Sequence, residues 1–217
     1  MCHDNLYNRN MIHHPIKLFF ILVFICTLNA CSDSAKLQPL KAGATILAFG
    51  DSLTYGTGTS KNKAYPAILE TLVNFKVINA GVPGEISQAG LTRLPGLIKK
   101  HHPDLIIICH GGNDILRKLD LSITQSNLQQ MINISRDNNS EVVLIGVPEF
   151  GLFLDPSPIY LALANKNNVP IENEVLGDIL GKNALKSDQI HPNTDGYQLL
   201  AESIDSLLQQ SGAIQKQ

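Results

Sequence analysis

A serine, an aspartate and a histidine stand in this sequence where they suit nucleophilic catalysis. Ser52 lies in Gly50-Asp51-Ser52-Leu53, and Asp188 and His191 lie three residues apart near the other end of the chain. A hydroxyl is a weak nucleophile until a base takes its proton and a third group orients that base. The spacing of three lets one short loop place the carboxylate beside the imidazole and fix its tautomer. These residues are therefore a candidate triad. Taken alone, Asp188 and His191 could also be a surface acid and histidine that share a hydrogen bond.

The position of Ser52 directly after an apolar run strengthens this hypothesis. Thr45–Phe49 is short, apolar and partly β-branched, which predicts a buried strand. Ligands of open α/β sheets bind at the carboxyl ends of the strands, where Ser52 would lie. Gly50 permits a sharp turn, and Asp51 is expected to cap the turn that follows. A Gly-Asp-Ser tripeptide by itself is common in ordinary turns.

Two further loops follow predicted strands and could complete a site for acyl transfer. The loop 79–85 is glycine-rich, so its backbone N–H groups can face an anion. The loop 110–114 contains Asn113, whose amide is a suitable donor for a developing oxyanion. Each loop, taken alone, also suits a simple turn. The loop 79–85 lacks the G-x-G-x-x-G spacing of a dinucleotide-binding motif, and residues 50–63 lack the G-K-[ST] of a P-loop.

The rest of the chain alternates between strand and helix patterns. Strands are predicted at Thr45–Phe49, Lys76–Asn79, Leu105–Cys109, Val142–Val147 and, more weakly, Val169–Ile171, and helices at Ala64–Asn74, Ser87–His101, Ile123–Asn138 and Thr194–Gln210. This alternation predicts βαβ units around a parallel sheet, and right-handed crossovers then give a three-layer α/β sandwich. Ser122 is the expected N-cap of the third helix, and Asn193 or Thr194 that of the fourth. The segment 150–154 could line an acyl pocket or belong to the core.

The first 31 residues predict a secretory signal. Leu18–Leu28 is an apolar run after Lys17, and it is too short for a bilayer span, which needs roughly 20 residues. Leu28-Asn29-Ala30-Cys31 resembles a bacterial lipobox, whose cysteine becomes lipidated. Ser32 then favours the outer membrane, by resemblance to enteric lipoproteins, with the domain facing the periplasm. The alternative is an ordinary cleaved signal with a chance cysteine.

The remaining composition indicates one secreted domain. Residues 32–43 are polar and predict a tether, and residues 44–217 have the length of a single domain. Cys109 is the one cysteine after Cys31, which excludes a disulfide within the domain and predicts a buried structural thiol. The net charge of −2 and the absence of a basic cluster argue against nucleic-acid binding. His101 and His102 lack the neighbours of a metal site.

Together these segments resemble the SGNH, or GDSL, hydrolase family. That family is named for a Ser, Gly, Asn and His in four blocks, matched here by Ser52, Gly84, Asn113 and His191. The resemblance covers about residues 44–210 and is nearest to secreted bacterial esterases with arylesterase, thioesterase and lysophospholipase activities. It implies a flavodoxin-like fold with a five-stranded parallel sheet, and no cofactor or metal.

The resemblance also implies a mechanism. Ser52 would attack an acyl carbonyl, His191 would carry the proton, and Asp188 would orient His191. The oxyanion hole would comprise the N–H groups of Ser52 and Gly84 and the Asn113 side chain. Expected substrates are small aryl esters, acyl thioesters or lysophospholipids, with no obligate protein partner. A polysaccharide O-deacetylase of the same family and a non-catalytic acyl-binding envelope lipoprotein are the alternatives.

Overall fold

The computed structural model describes Met1 and residues 35–151 and 154–215. The predicted signal and lipobox, including Cys31, therefore lie outside the described residues, as do Leu152 and Phe153 of the possible acyl pocket. No helix within the described part is long and apolar enough to cross a membrane.

Five parallel strands form one sheet in the order β2-β1-β3-β4-β5. They are β1 (Thr45–Gly50), β2 (Lys76–Gly81), β3 (Leu105–Cys109), β4 (Glu141–Ile145) and β5 (Ile171–Glu172). Every residue of the central strand β3 is buried, as expected for a strand covered on both faces. The predicted α/β architecture with a five-stranded parallel sheet is confirmed.

Helices cover the sheet between the strands. They are α1 (Ser52–Tyr55), α2 (Tyr65–Val73), α3 (Ser87–His101), α4 (Gly112–Leu116), α5 (Leu121–Asp137), α6 (Pro158–Asn167), α7 (Val175–Leu180) and α8 (Thr194–Gln210). Helix α2 packs with α8, and α5 packs with α3 and α6, so the helices form two layers. The sequence did not predict α1, α4, α6 or α7. The first two are too short to show a period, and α6 has exposed Leu161 beside buried Tyr160, which blurs its apolar face.

Three predicted details of the elements are wrong. Asp120, not Ser122, caps α5, because its side chain accepts the Ser122 N–H at 2.8 Å and the helix begins at Leu121. Strand β4 ends at Ile145 rather than Val147. Strand β5 begins only at Ile171, because the Val169 N–H donates back to Ala164 at the end of α6 and Pro170 has no N–H to donate.

The predicted tether is also wrong in its second half. The Leu37 N–H donates to the Ser211 carbonyl at 2.9 Å, and the Leu40 N–H donates to the Ala213 carbonyl at 2.8 Å. The Leu37 side chain is only 6% exposed. Residues 36–40 are therefore a docked segment of the domain, whose compact unit runs from Ala35 to Gln217. Polar composition predicted a linker here because it does not show which residue of the segment is buried.

This docking predicts a measurable loss of stability on Leu37→Ala. Truncating a buried leucine removes apolar contacts and leaves a cavity, so we expect the free energy of unfolding to fall by about 2 kcal/mol. Urea denaturation of the domain measures the change, with exposed Lys41→Ala as the control. A loss below about 0.5 kcal/mol, typical of a surface position, would show that the segment is not docked.

Candidate active site

The structure brings the three predicted triad side chains into one hydrogen-bonded chain. The Ser52 Oγ lies 3.0 Å from the His191 Nε2, and the His191 Nδ1 lies 2.8 Å from the Asp188 Oδ2. A carboxylate can only accept, so the Nδ1 carries the proton and the Nε2 is free to accept from the serine. This is the tautomer that a general base needs.

Ser52 is held at the start of α1 by its neighbours. The Asp51 carboxylate accepts the Leu53 N–H at 3.1 Å, which is the predicted capping role. Gly50 ends β1 so close to β3 that a Cβ would collide with the Cys109 carbonyl and the Thr54 hydroxyl. The chain must therefore turn at a glycine before it presents the serine. Cys109 itself is buried and free, as predicted, and burial raises the pKa of its thiol well above the usual value.

Asp188 and His191 lie in a tight loop before α8. The backbone N–H groups of Ile190 and His191 donate to the Asp188 Oδ1 at 2.8 and 2.9 Å. Burial raises the pKa of Asp188, but these hydrogen bonds and the His191 side chain outweigh it and hold the pKa below its usual value. Asn193 caps α8 by accepting two backbone N–H groups, so the loop is fixed at both ends.

The predicted oxyanion donors lie on three adjoining loops. Among the described residues, no hydrogen-bond acceptor faces the N–H of Ser52 or of Gly84. Gly84 has a φ of +76°, which favours glycine, and the Arg117 guanidinium donates to its carbonyl at 2.9 Å. The Asn113 amide donates to the Asp51 Oδ2 at 3.2 Å and to the Glu85 carbonyl at 3.1 Å. Asn113 thus links the residue before Ser52 to the residue after Gly84.

Sequence reasoning missed a partly buried ionic cluster behind these loops. Arg93 donates from its Nε to the Glu85 Oε1 at 2.9 Å and from its Nη2 to the Oε2 at 2.6 Å, and the His110 Nε2 lies 3.1 Å from that Oε2. The Glu85 and His110 side chains are 7% and 0% exposed. His110 is the first residue of the loop 110–114. No local pattern indicates the contact, because its members come from a loop, a helix and a strand end.

A second missed residue fixes the start of α3. The Asp114 carboxylate accepts from the Ser87 N–H at 2.8 Å and from the Ser87 hydroxyl at 2.6 Å. Asp114 follows Asn113 directly, so this contact ties the Asn113 turn to the helix that follows Gly84. The side chain of Asn127 completes the network by donating to the Ser87 Oγ at 2.9 Å.

Comparison with known proteins decides the family. The model of the GDSL-like Lipase/Acylhydrolase family matches residues 48–199, which include all of the predicted site residues from Ser52 to His191. The chain belongs to this family. It is a serine esterase of the carboxylic-ester hydrolase class, as the sequence predicted.

Curated relatives and solved structures agree with this family assignment. Over 176 residues the chain is 34% identical to the Thioesterase 1/protease 1/lysophospholipase L1 of Escherichia coli K12, covering 77% of this chain and 85% of the relative. It is 31% identical to the Arylesterase of Vibrio mimicus, and the match covers 87% of this chain and 96% of that relative. The crystal structure of the psychrotrophic esterase EstA from Pseudoalteromonas, inhibited by monoethylphosphonate, matches with a TM-score of 0.69 and 25% sequence identity. The match covers 76% of this chain and 97% of that one.

The Glu85 cluster predicts how the stability of this esterase depends on pH. Burial raises the pKa of Glu85, but the hydrogen bonds from His110 and Arg93 and the charge of Arg93 outweigh it and lower the pKa from 4.5 to about 2. A carboxylate with a depressed pKa stabilises the fold above its unfolded-state pKa, and this contribution is lost as the pH falls. We expect the difference in unfolding free energy between wild type and Glu85→Gln to shrink as the pH falls from 4.5 to about 2. Urea denaturation at stepped pH measures it, and a difference independent of pH would contradict the ionised Glu85.

Proposed function

We propose that this GDSL hydrolase cleaves small acyl esters and thioesters with Ser52 as nucleophile, His191 as base and Asp188 as the orienting acid. The observation that carries the proposal is the unbroken hydrogen-bond chain from the Ser52 Oγ through His191 to Asp188. It lies at the carboxyl edge of the sheet, where the loops after β1, β2 and β3 meet.

The proposed reaction has two halves. The Ser52 Oγ attacks the acyl carbon while its proton moves to the His191 Nε2, and the bond to the alcohol or thiol then breaks as His191 returns that proton to the leaving group. The product is an acyl ester on Ser52. His191 takes a proton from the water that attacks this ester and returns it to the Ser52 Oγ as the carboxylic acid leaves.

The proposed oxyanion hole consists of the Ser52 and Gly84 N–H groups and the Asn113 amide. Charge develops on the carbonyl oxygen only as the tetrahedral intermediate forms, so these donors act mainly in the transition state. The Asn113 amide hydrogen that now faces the Glu85 carbonyl is the one available to be shared with that oxyanion, since the other faces buried Asp51.

The expected substrate class is aryl esters, acyl thioesters and lysophospholipids. The relatives carry the names of a thioesterase/lysophospholipase and an arylesterase, which supports this range. Tyr55, at the end of α1, and Val82, in the loop that carries Gly84, are both more than a third exposed and can contact an acyl or aryl group. The segment 150–154 stays a prediction as part of an acyl pocket.

A change of Ser52→Ala tests the proposed nucleophile. The substitution removes the attacking oxygen, so we expect no measurable hydrolysis of an aryl acetate and no covalent labelling by a fluorophosphonate. The thermal unfolding midpoint should stay close to that of wild type. Ser126→Ala, at an exposed serine, is the matched control and should keep both the hydrolysis and the labelling. Labelling that persists in Ser52→Ala would exclude Ser52 as the nucleophile.

Turnover by the wild-type protein, with Ser52→Ala as the inactive reference, distinguishes the proposed substrates from those of an O-deacetylase. Turnover is compared on an aryl acetate, an acyl-CoA, a lysophospholipid and an acetylated polysaccharide. The proposal expects the first three to be cleaved better than the polysaccharide. Preference for the polysaccharide would favour an O-deacetylase, and absence of turnover on all four would favour an acyl-binding protein.

For localisation, we infer that Cys31 is lipidated and holds the domain on the periplasmic side of the envelope, at the outer membrane. The support is the apolar run that ends in Leu28-Asn29-Ala30-Cys31. A single acyl chain holds a protein only marginally, whereas the two or three chains of a lipoprotein resembling this one give lasting attachment. Four residues lie between Cys31 and Lys36 of the docked segment, so the chain from one to the other spans at most roughly 18 Å.

A change of Cys31→Ser tests the lipid anchor. Without a thiol to carry the lipid, we expect an uncleaved precursor that incorporates no radiolabelled or clickable fatty acid. The variant should keep esterase activity in detergent extracts, because Cys31 is no part of the proposed site. Cys109→Ser is the matched control and should still incorporate lipid. Soluble wild-type protein cleaved at another position would contradict the anchor and leave a secreted esterase.

A further inference from the structure

The cluster of Glu85, Arg93 and His110 has no role in the reaction as described, yet it lies directly behind the oxyanion donors. Glu85 follows Gly84 in the chain, and its own carbonyl accepts from the Asn113 amide. His110 begins the loop that leads to Asn113. The cluster therefore joins the backbone of the two loops that carry the Gly84 N–H and the Asn113 side chain.

The hydrogen bonds of His110 define its protonation and make it a bridge. The Gly111 N–H donates to the His110 Nδ1 at 2.9 Å, so the proton of a neutral ring lies on the Nε2 and points to the Glu85 carboxylate. The His110 ring thus holds the Gly111 N–H of the loop that carries Asn113 and the Glu85 side chain that follows Gly84. The Tyr160 hydroxyl holds the His110 carbonyl at 2.9 Å, which locks the bridge from a third element.

Arg93 and Gly90 approach this bridge closely. The Arg93 guanidinium lies 4.5 Å above the Phe49 ring, so the cluster also rests on the end of β1, which leads to Ser52. A Cβ at position 90 would collide with the His110 ring, so only glycine lets α3 approach it. The cluster therefore joins the loops of Gly84 and Asn113 and also contacts the end of β1 that leads to Ser52.

We propose that the Glu85–His110–Arg93 cluster is a positioning device that sets the separation of the two oxyanion donors, the Gly84 N–H and the Asn113 amide. The proposal rests on the proposed function, which assigns those donors. Glu85 acts here through the backbone of its own loop and does not exchange a proton with the substrate. Its loss should therefore weaken transition-state stabilisation and leave ground-state binding almost unchanged.

Glu85→Gln is the principal test. Three donors, the Arg93 Nε and Nη2 and the His110 Nε2, face two carboxylate oxygens, and a glutamine amide would replace one of these acceptors by a further donor. We expect kcat for an aryl acetate to fall about 10–100-fold, because small misplacements at an active site have effects of that size. KM should change less than about twofold, and the dependence of the rate on pH should keep the shape of the wild type.

A second variant and a control guard against a purely structural effect. Arg93→Lys keeps the charge but cannot donate to both Glu85 oxygens in the same fork, so it should lower kcat in the same direction by less. Glu172→Gln is the control. The Glu172 carboxylate, like that of Glu85, accepts from three donors, here two backbone N–H groups and a serine hydroxyl, but it lies at the end of β5. This variant should leave kcat within about twofold. An equal fall of kcat in Glu172→Gln would overturn the proposal.

A double-mutant cycle with Asn113→Ala identifies the path of the effect. Asn113→Ala alone should lower kcat about 10²–10³-fold. If Glu85 acts through the oxyanion donors, Glu85→Gln should cost much less in the Asn113→Ala background than in wild type. If the losses of the two single variants simply add in the double variant, or if folded Glu85→Gln keeps the wild-type kcat, the positioning role is overturned and the proposed function is not. An Asn113→Ala protein with unchanged kcat would instead remove the oxyanion assignment of the proposed function, and the positioning role with it.

Discussion

The pairing of β1 with both β2 and β3 is the constraint on which the site depends. The register pairs Gly50 with Gly81 on one side and with Cys109 on the other, so the three strands end at the same level. The loops that leave these ends carry Ser52, Gly84 and Asn113 within four residues of the sheet. A slip of one residue between two of these strands would displace the loop at the end of one strand by about 3.3 Å relative to its neighbour.

Three buried or nearly buried acids then convert this coarse alignment into fixed geometry. Asp51 orients the Asn113 amide, Asp114 holds the start of α3, and Glu85 links its loop to His110 and Arg93. Burial raises the pKa of Asp51, whereas the hydrogen bonds from His110 and Arg93 and the charge of Arg93 lower the pKa of Glu85. The same side-chain type is thus placed in different electrostatic surroundings, because one acid has a cationic partner in direct contact and the other has mainly amide donors.

The parts of this structure that follow from local physics could be predicted from the sequence. The strand Leu105–Cys109 and the helices Ser87–His101 and Thr194–Gln210 were predicted with their observed bounds, since apolar runs and helical periods are local signals. The candidate triad residues were recognisable because Ser52 follows a predicted strand and Asp188 and His191 lie three residues apart. Contacts between distant segments left no such signal. The docking of Leu37 on the end of α8 and the pairing of Glu85 with His110 depend on the finished fold, so composition predicted a tether in the first case and nothing in the second.

The two histidines near the site show how the fold assigns chemistry to identical side chains. His191 faces a carboxylate with its Nδ1, so its Nε2 has a free lone pair directed at the Ser52 hydroxyl. His110 receives a backbone N–H at its Nδ1, so its proton lies on the Nε2 and is directed at Glu85. The two rings therefore hold opposite tautomers. Only His191 can accept a proton from serine in its resting form, whereas His110 has both nitrogens committed to protein groups and is sealed from solvent. The partner of Nδ1, a carboxylate for His191 and a peptide N–H for His110, is thus what suits the first ring to the proposed role of base and the second to a structural link.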